Sequence, residues 1–136
     1  MKIFVICSKR FYSKIADIKS ELESCGHVVE LPNSFDNPEA ENGIKNMGNK
    51  AHAKWKEKMF SRSLRVTKGS DAVLVLNFDK DNYKNYIGGA TFLEMYDAFR
   101  LKKKIFLYNQ IPEGILKDEI ICFSPIVIEG NLKRIK

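Results

Sequence analysis

The chain has 136 residues, of which 44% are hydrophobic and 29% charged, and this composition is typical of one globular domain over residues 1–136. No apolar run approaches the roughly 20 residues needed to cross a bilayer, and the amino-terminal run is too short for a signal peptide. The three cysteines are widely spaced and there are only two histidines, which argues against a disulfide framework or a zinc site. We therefore expect a cytoplasmic protein that uses no metal or cofactor and does not associate with a membrane.

The net charge of +6 is concentrated in one segment of the chain. Between Lys50 and Lys68 there are seven basic residues and a single acid, Glu57, so the remaining charges are balanced. A solvated helix face explains such a stripe, whereas a phosphorylated small molecule or a nucleic acid would be a functional partner for it. Few aromatic side chains are interleaved with the stripe, which argues against nucleic acid.

The amino-terminal part of the chain predicts a β-α-β unit. Lys2–Cys7 is a short apolar run typical of a buried parallel strand, Ser8–Ser13 is a loop, and His27–Leu31 is a second strand. Between them lies a helix that Gly26 would end. Its apolar face consists of Ile15, Ile18, Leu22 and Cys25.

The middle of the chain contains a polar segment, a basic helix and another strand. Asn33–Asn49 is too long for a routine connection, so it is either a functional lid or a mobile loop. Ala51–Thr67 has amphipathic helical spacing, with Ser63 among the residues on its apolar side. Asp71–Asn77 is an apolar run that predicts the third strand, and Phe78–Ile87 is a polar loop after it.

The segment Asn85–Asn109 predicts a glycine-rich turn, a helix and the fourth strand, Lys104–Tyr108. Pro112–Phe123 then contains a short helix, and Ile126–Ile128 is an edge strand. The apolar face of the first of these helices consists of Phe92, Met95, Tyr96 and Phe99. The inward positions of the short helix are Ile115, Leu116, Ile120 and Ile121. The alternation of strands and helices predicts a three-layer α/β/α sandwich with about five mostly parallel strands, of the flavodoxin or Rossmann type.

Glu94 has two interpretations. Thr91 is a candidate N-cap, and Glu94 three residues later would complete a capping box. Alternatively, Glu94 is an ionised carboxylate at the ligand-binding edge of the sheet. The helix dipole favours the anion by roughly 0.3–1 kcal/mol, less than the roughly 1.36 kcal/mol of one pKa unit, so an unusual pKa would require desolvation by a bound substrate.

Ligands of such folds bind beyond the carboxyl ends of the strands, where the polar residues of this chain converge. The loop residues Ser8, Lys9 and Arg10 precede a helix and would suit a phosphate, although a solvated loop is the alternative. Gly88 and Gly89 allow the backbone to approach a ligand closely.

Other residues at this edge also have structural explanations. Asn77, Asp79 and Asp81 are typical turn formers, or they hold ribose hydroxyls. Cys7 ends the first strand near the site, where a buried small hydrophobic residue is the ordinary role. No G-x-G-x-x-G and no G-x-x-x-x-G-K-[ST] is present, which argues against a dinucleotide-dependent dehydrogenase and a nucleoside triphosphatase.

Three segments resemble the nucleoside 2-deoxyribosyltransferase-like superfamily, which includes nucleotide N-glycosidases. They are S-D-A-V-L-V-L-N at Ser70–Asn77, I-G-G-A-T-F-L-E-M at Ile87–Met95, and K-K-I-F-L at Lys103–Leu107. The resemblance implies that Glu94, followed by Met95, is the nucleophile that attacks the anomeric carbon of a nucleoside or nucleotide. It also implies a glycosyl-enzyme intermediate and a homo-oligomer whose sites are completed across an interface.

Further roles follow from the resemblance alone. Ser8, Lys9 and Arg10 resemble the loop that binds a 5′-phosphate in the nucleotide-hydrolysing branch, with Cys7, Asn77, Gly88 and Gly89 as further substrate-binding candidates. Asp79 or Asp81 lies near the position of the acid that assists departure of the base.

The chain also departs from the superfamily pattern. Many members have an acid on the helix before the third strand, where this chain has Arg62–Arg65, and Asn33–Asn49 matches nothing specific. A non-catalytic nucleotide sensor of the same fold is therefore the alternative function.

Overall fold

A computed structural model describes all of residues 1–136 and contains a five-stranded, entirely parallel sheet between two layers of helices. The spatial order of the strands is β2-β1-β3-β4-β5. The strands are β1 (Lys2–Ile6), β2 (Val28–Glu30), β3 (Ala72–Val75), β4 (Lys104–Leu107) and β5 (Ile126–Val127). This architecture confirms the predicted three-layer α/β/α fold.

The helices connect successive strands. They are α1 (Ile15–Ser24), α2 (Ala40–Lys45), α3 (Asn49–Lys68), α4 (Gly89–Arg100) and α5 (Lys117–Cys122), with short 3-10 helices at Lys9–Lys14 and Leu132–Arg134. No helix is both long and apolar enough to cross a membrane.

Beyond Lys2 at the start of β1, the strands β1 and β3 are apolar because both of their faces are covered. In β1, Val5 faces α1 and the carboxyl-terminal 3-10 helix, whereas its neighbour Ile6 faces α4 and α5. In β3, Leu74 and Val75 divide between the two faces in the same way. Successive side chains of a strand point to opposite faces, so a strand covered on both sides has no position for a polar residue.

The predicted strands are shortened at their ends, and two predicted loops contain helical turns. The loop Ser8–Ser13 is mostly the 3-10 helix Lys9–Lys14, which is capped by Ser8 Oγ accepting a hydrogen bond from the Arg10 backbone N–H at 3.3 Å. The long segment Asn33–Asn49 contains α2, which packs against α3. This segment is therefore ordered against the domain instead of forming an open loop.

The start of α4 differs from the prediction. The helix begins at Gly89 with Gly88 as N-cap, and the Phe92 N–H donates to the Gly88 carbonyl oxygen at 2.9 Å. Thr91 is thus inside the helix, and the predicted capping box is wrong. The buried face of α4 is Thr91, Glu94, Met95 and Ala98.

Several apolar side chains predicted to be buried lie on the surface. Tyr96 and Phe99 are 43% and 40% exposed, because the buried stripe of α4 is rotated toward its polar residues. Ile115 is 95% exposed, since α5 begins only at Lys117. Ile121 is also exposed, whereas Ile120 is fully buried as predicted.

Candidate active site

A cavity of about 350 Å³ lies at the carboxyl edge of the sheet. Its walls come from the end of β1 and the following 3-10 helix, from residues 32–45, from α3, and from residues 86–94 at the start of α4. A site at this position is expected, because parallel strands end there and the loops that follow them converge.

Glu94 is the carboxylate at the base of this cavity. Its side chain is largely buried, with 8% of the residue exposed, and its Oε2 accepts a hydrogen bond from Ser63 Oγ at 2.8 Å. Burial raises the pKa of Glu94 to about 7, against the Ser63 hydrogen bond and the charges of Arg62 and Lys56, which lower it. Asp97 adds a further rise. Burial within the protein therefore already desolvates Glu94, so the raised pKa does not require the bound substrate that was expected from the sequence.

Ser63 belongs to a continuous set of hydrogen bonds behind Glu94. Asn33 Nδ2 donates to Ser63 Oγ at 2.7 Å and to the Met59 carbonyl oxygen at 2.9 Å. Arg62 Nη1 donates to Asn33 Oδ1 at 2.8 Å. Asn33 thus ties the polar segment before α2 to α3, and one of its partners there, Ser63, is the residue that donates to Glu94.

The cavity is also lined by lysines and by one further acid, Glu41 of α2. Its Oε2 lies 2.8 Å from His52 Nε2 and 3.3 Å from Lys56 Nζ, and its Oε1 lies 3.3 Å from Lys9 Nζ. Burial alone would raise the pKa of Glu41, but hydrogen bonds and charges from these three partners outweigh it and hold the pKa at about 2. Lys45 also lines the cavity.

Cys7 lines the cavity but is not a candidate nucleophile. Burial, and then the charge of Glu94, raise the pKa of its thiol to about 12. Burial likewise raises the pKa of Tyr12, whose hydroxyl donates to the Asn33 carbonyl oxygen at 2.6 Å. Both groups are therefore protonated at neutral pH, and Tyr12 helps to hold Asn33 in place.

The structure brings six of the ten predicted site residues to the cavity. These are Cys7, Ser8, Lys9, Gly88, Gly89 and Glu94. The other four, Arg10, Asn77, Asp79 and Asp81, do not line it.

The four residues outside the cavity have structural partners. Arg10 Nη2 and Asp81 Oδ1 form an ion pair at 2.6 Å in which both side chains are more than half exposed. Asp79 Oδ1 accepts from the Asn85 N–H at 2.9 Å, as a turn-forming residue does. Asn77 is fully buried and binds the backbone of Asn109. This geometry gives no support to Asp79 or Asp81 as the acid that assists base departure.

Sequence reasoning missed Asn33, Glu41, Lys56 and Ser63 as residues of the site. A signal existed for Ser63, because a serine on the apolar side of a helix predicts a buried polar partner. No comparable signal existed for Glu41, because its partners Lys9, His52 and Lys56 are separated from it by 11 to 32 residues and become visible only in the fold.

No family model and no curated protein matches the sequence. Among solved structures, the chain is similar to a 2-deoxyribosyltransferase from the psychrotolerant bacterium Bacillus psychrosaccharolyticus. The TM-score is 0.60 at 21% identity, over 95% of this chain and 86% of that one. It is also similar to the Clostridium botulinum CMP N-glycosidase BcmB, with a TM-score of 0.55 at 15% identity, over 98% of this chain and 93% of that one. The chain therefore has the fold of a 2-deoxyribosyltransferase and of a CMP N-glycosidase, in agreement with the resemblance found in its sequence.

Proposed function

We propose that this protein is an enzyme that cleaves or transfers at the N-glycosidic bond of a nucleoside or a nucleoside 5′-monophosphate. The observation that supports this function is the placement of Glu94. It is a desolvated carboxylate in a cavity at the carboxyl edge of the sheet, at the position that the sequence resemblance gives to the nucleophile.

The chemistry would follow the two-step scheme of retaining glycosidases. Glu94 forms a bond to the anomeric carbon as the bond from that carbon to the base breaks, and the leaving base takes up a proton. Water or a second base then breaks the glycosyl-carboxylate bond and regenerates Glu94. With a pKa of about 7, a large fraction of Glu94 is ionised at neutral pH and able to attack.

The charge distribution of the cavity supports a phosphorylated substrate. Lys9, Lys45 and Lys56 line it, and the acids among its lining residues are Glu41 and Glu94. Lysine side chains bind phosphate as point charges, and Lys45 is the cavity lysine that is not paired with Glu41. A 5′-phosphate near these lysines would also help to orient the sugar toward Glu94.

The test is an incubation of the protein with a panel of nucleosides and nucleoside 5′-monophosphates, with released base detected by chromatography and mass. Glu94→Gln is expected to reduce base release by about 1000-fold, as removal of a nucleophile does. Glu57→Gln, on the exposed side of α3, is the matched control and should retain full activity. Base release by Glu94→Gln at the parent rate would show that Glu94 is not the nucleophile.

The same panel distinguishes the sensor alternative. Nucleotides that raise the melting temperature of the protein, without release of base on prolonged incubation with any of the compounds, would identify a binding protein of this fold.

We also propose that the protein is a homo-oligomer that acts in the cytoplasm. Exposed apolar side chains on α4 support an interface between copies, namely Leu93, Tyr96 and Phe99, each at least 40% exposed. The three free thiols suit a reducing compartment. Sedimentation analysis would test the oligomer, and a monomer at micromolar concentration would contradict it.

A further inference from the structure

The chemistry of Arg62, Asn33 and Met59 determines which group donates and which accepts in the hydrogen bonds behind Glu94. Asn33 sits between Arg62, which can only donate, and the Met59 carbonyl oxygen, which can only accept. Rotating the amide by half a turn would place its NH₂ against the guanidinium and its oxygen against the Met59 carbonyl. Both contacts would be repulsive, so the assignment of the amide nitrogen and oxygen is fixed by two independent neighbours.

The orientation of Asn33 then determines the orientation of the Ser63 hydroxyl. The two protons of the Asn33 amide nitrogen go to the Met59 carbonyl oxygen and to Ser63 Oγ. Ser63 Oγ therefore accepts from Asn33, and its single proton remains for Glu94 Oε2, which lies at 2.8 Å. Ser63 is only 2% exposed, so water does not compete for that proton.

The two oxygens of Glu94 are consequently not equivalent. Oε2 is occupied by the Ser63 hydroxyl, and Oε1 has no hydrogen-bond partner within the chain. Every buried side-chain nitrogen or oxygen of the protein does have a partner, so Oε1 is not sealed in the interior. Since Glu94 lines the cavity, Oε1 is the oxygen that is open to it.

We propose that Ser63 is a positioning residue, oriented through Asn33 by Arg62, which holds Oε2 of Glu94 and leaves Oε1 as the oxygen that attacks the sugar. The identity of Oε1 as the attacking atom rests on the proposed function. The hydrogen-bond relay, which runs from Arg62 through Asn33 and Ser63 to Oε2 of Glu94, does not rest on it.

The relay has a consequence for the ionisation of Glu94. A hydroxyl that can only donate to Oε2 stabilises the carboxylate, and Arg62 behind it adds positive charge. Removing the hydroxyl should therefore raise the pKa of Glu94. The other titratable groups that act on Glu94 or are affected by its charge are Lys56 of α3, Asp97 of α4, Cys7 at the end of β1 and Tyr12 of the first 3-10 helix.

The relay is tested by following the carboxyl carbon of Glu94 through a pH titration by NMR, using protein with isotope-labelled glutamate. The Glu94 signal is the one that disappears in Glu94→Gln. Ser63→Ala is expected to raise the titration midpoint by about one pH unit, the size expected for loss of a hydrogen bond to a charged group. Ser63→Thr, which keeps the hydroxyl, should restore the midpoint toward that of the parent.

Ser70→Ala is the matched control. Ser70 is also 2% exposed, and its hydroxyl donates to the Val66 carbonyl oxygen at 2.8 Å and not to Glu94. It should leave the midpoint unchanged. An unchanged midpoint in Ser63→Ala, or an equal shift in Ser70→Ala, would overturn the proposal.

A second variant tests the relay at a distance. Asn33→Ala has no hydrogen bond to Glu94 to lose, but it frees the Met59 carbonyl oxygen, which can then accept the Ser63 proton. It should also raise the Glu94 midpoint, and this result remains informative if Ser63→Ala does not fold. An unchanged midpoint in Asn33→Ala would contradict a role for Asn33 and Arg62.

The titration needs no substrate, so it separates this proposal from the proposed function. Shifted midpoints in a protein that releases no base would support the relay and contradict the enzyme. Unshifted midpoints, in a protein whose base release is lost in Glu94→Gln, would contradict the relay and support the enzyme. In an active enzyme, Ser63→Ala should also move the acidic limb of the kcat/KM profile to higher pH, and Ser70→Ala should not.

Discussion

The two glutamates of the cavity differ in burial and in partners, and their pKa values shift in opposite directions. Glu94 is buried, whereas Glu41 is only partly buried. Burial acts on both in the same sense, since it disfavours the charged form. Glu94 receives one neutral hydroxyl and has its pKa raised to about 7. Glu41 receives hydrogen bonds from His52, Lys56 and Lys9 and has its pKa lowered to about 2.

The difference shows that burial and partners act together: deeper burial with a single side-chain hydrogen bond leaves Glu94 with a raised pKa, and lesser burial with three partners holds Glu41 ionised. Glu41 is committed to its ion pairs and ties α2 to α3 and to the first 3-10 helix. Glu94 has one oxygen without a partner, which is the property a nucleophile needs. One cavity is thus lined by a carboxylate held in ion pairs and by a buried carboxylate with one unpaired oxygen.

The largest expected effect on stability comes from removing the charge of Glu94. Its pKa is higher in the folded than in the unfolded protein, so its ionisation destabilises the fold as pH rises from about 4.5 through about 7. Glu94→Gln keeps an oxygen that can accept from Ser63 and should be more stable than the parent at pH 8 by about 3 kcal/mol.

Urea unfolding at several pH values measures this difference. It should shrink toward zero as pH falls below about 4.5, because the parent carboxyl then becomes neutral in the unfolded as well as the folded state. Glu57→Gln is the control. A parent protein as stable as Glu94→Gln at pH 8 would mean that Glu94 is not held in a desolvated environment.

Glu41→Gln should have a smaller effect of the opposite sign. The folded pKa of Glu41 is lowered, so its ionised form stabilises the fold above about pH 4.5, and this contribution disappears as pH falls through about 2. Its partners Lys9, His52 and Lys56 are partly exposed, so solvent screens the pairs and we expect a loss of about 1 kcal/mol at pH 7.

The same unfolding series tests Glu41. If Glu41→Gln stabilised the protein at pH 7 as Glu94→Gln is expected to do at pH 8, the contrast between the two glutamates would be absent.

Asp81→Ala provides the smallest expected effect and a reference outside the cavity. The Arg10–Asp81 pair is more than half exposed on both sides, so its loss should change the free energy of unfolding by less than about 0.5 kcal/mol. Base release should also be unchanged, because neither residue lines the cavity. A large loss of activity in this variant would place Asp81 in the catalytic machinery, as the sequence resemblance suggested.

The fold was largely predictable from the sequence, because its determinants are local. Apart from Lys2 at the start of β1, the runs that became β1 and β3 are apolar at every position, which a strand covered on both faces requires. The start of α4 was misplaced because Thr91 and Glu94 have capping-box spacing, while the helix begins at Gly89 and turns both side chains inward.

The site was only partly predictable, because its determinants are distant in sequence. Ser8 and Lys9 follow β1, and Gly88 and Glu94 belong to the first part of the α4 segment that follows β3, so their convergence follows from strand order. Ser63 is 31 residues from Glu94, and their hydrogen bond depends on how α3 packs against α4. No local pattern specifies that packing, so the supporting residues of the site required the structure.

The most direct test of the account is to trap the intermediate on Glu94. The protein is mixed with a cleavable nucleoside or nucleotide, quenched in acid and examined as intact protein and peptides by mass spectrometry. We expect an added pentosyl or pentosyl phosphate group on the peptide that contains Glu94, and no such addition in Glu94→Gln. An adduct on a different residue, or undiminished base release by Glu94→Gln, would contradict it.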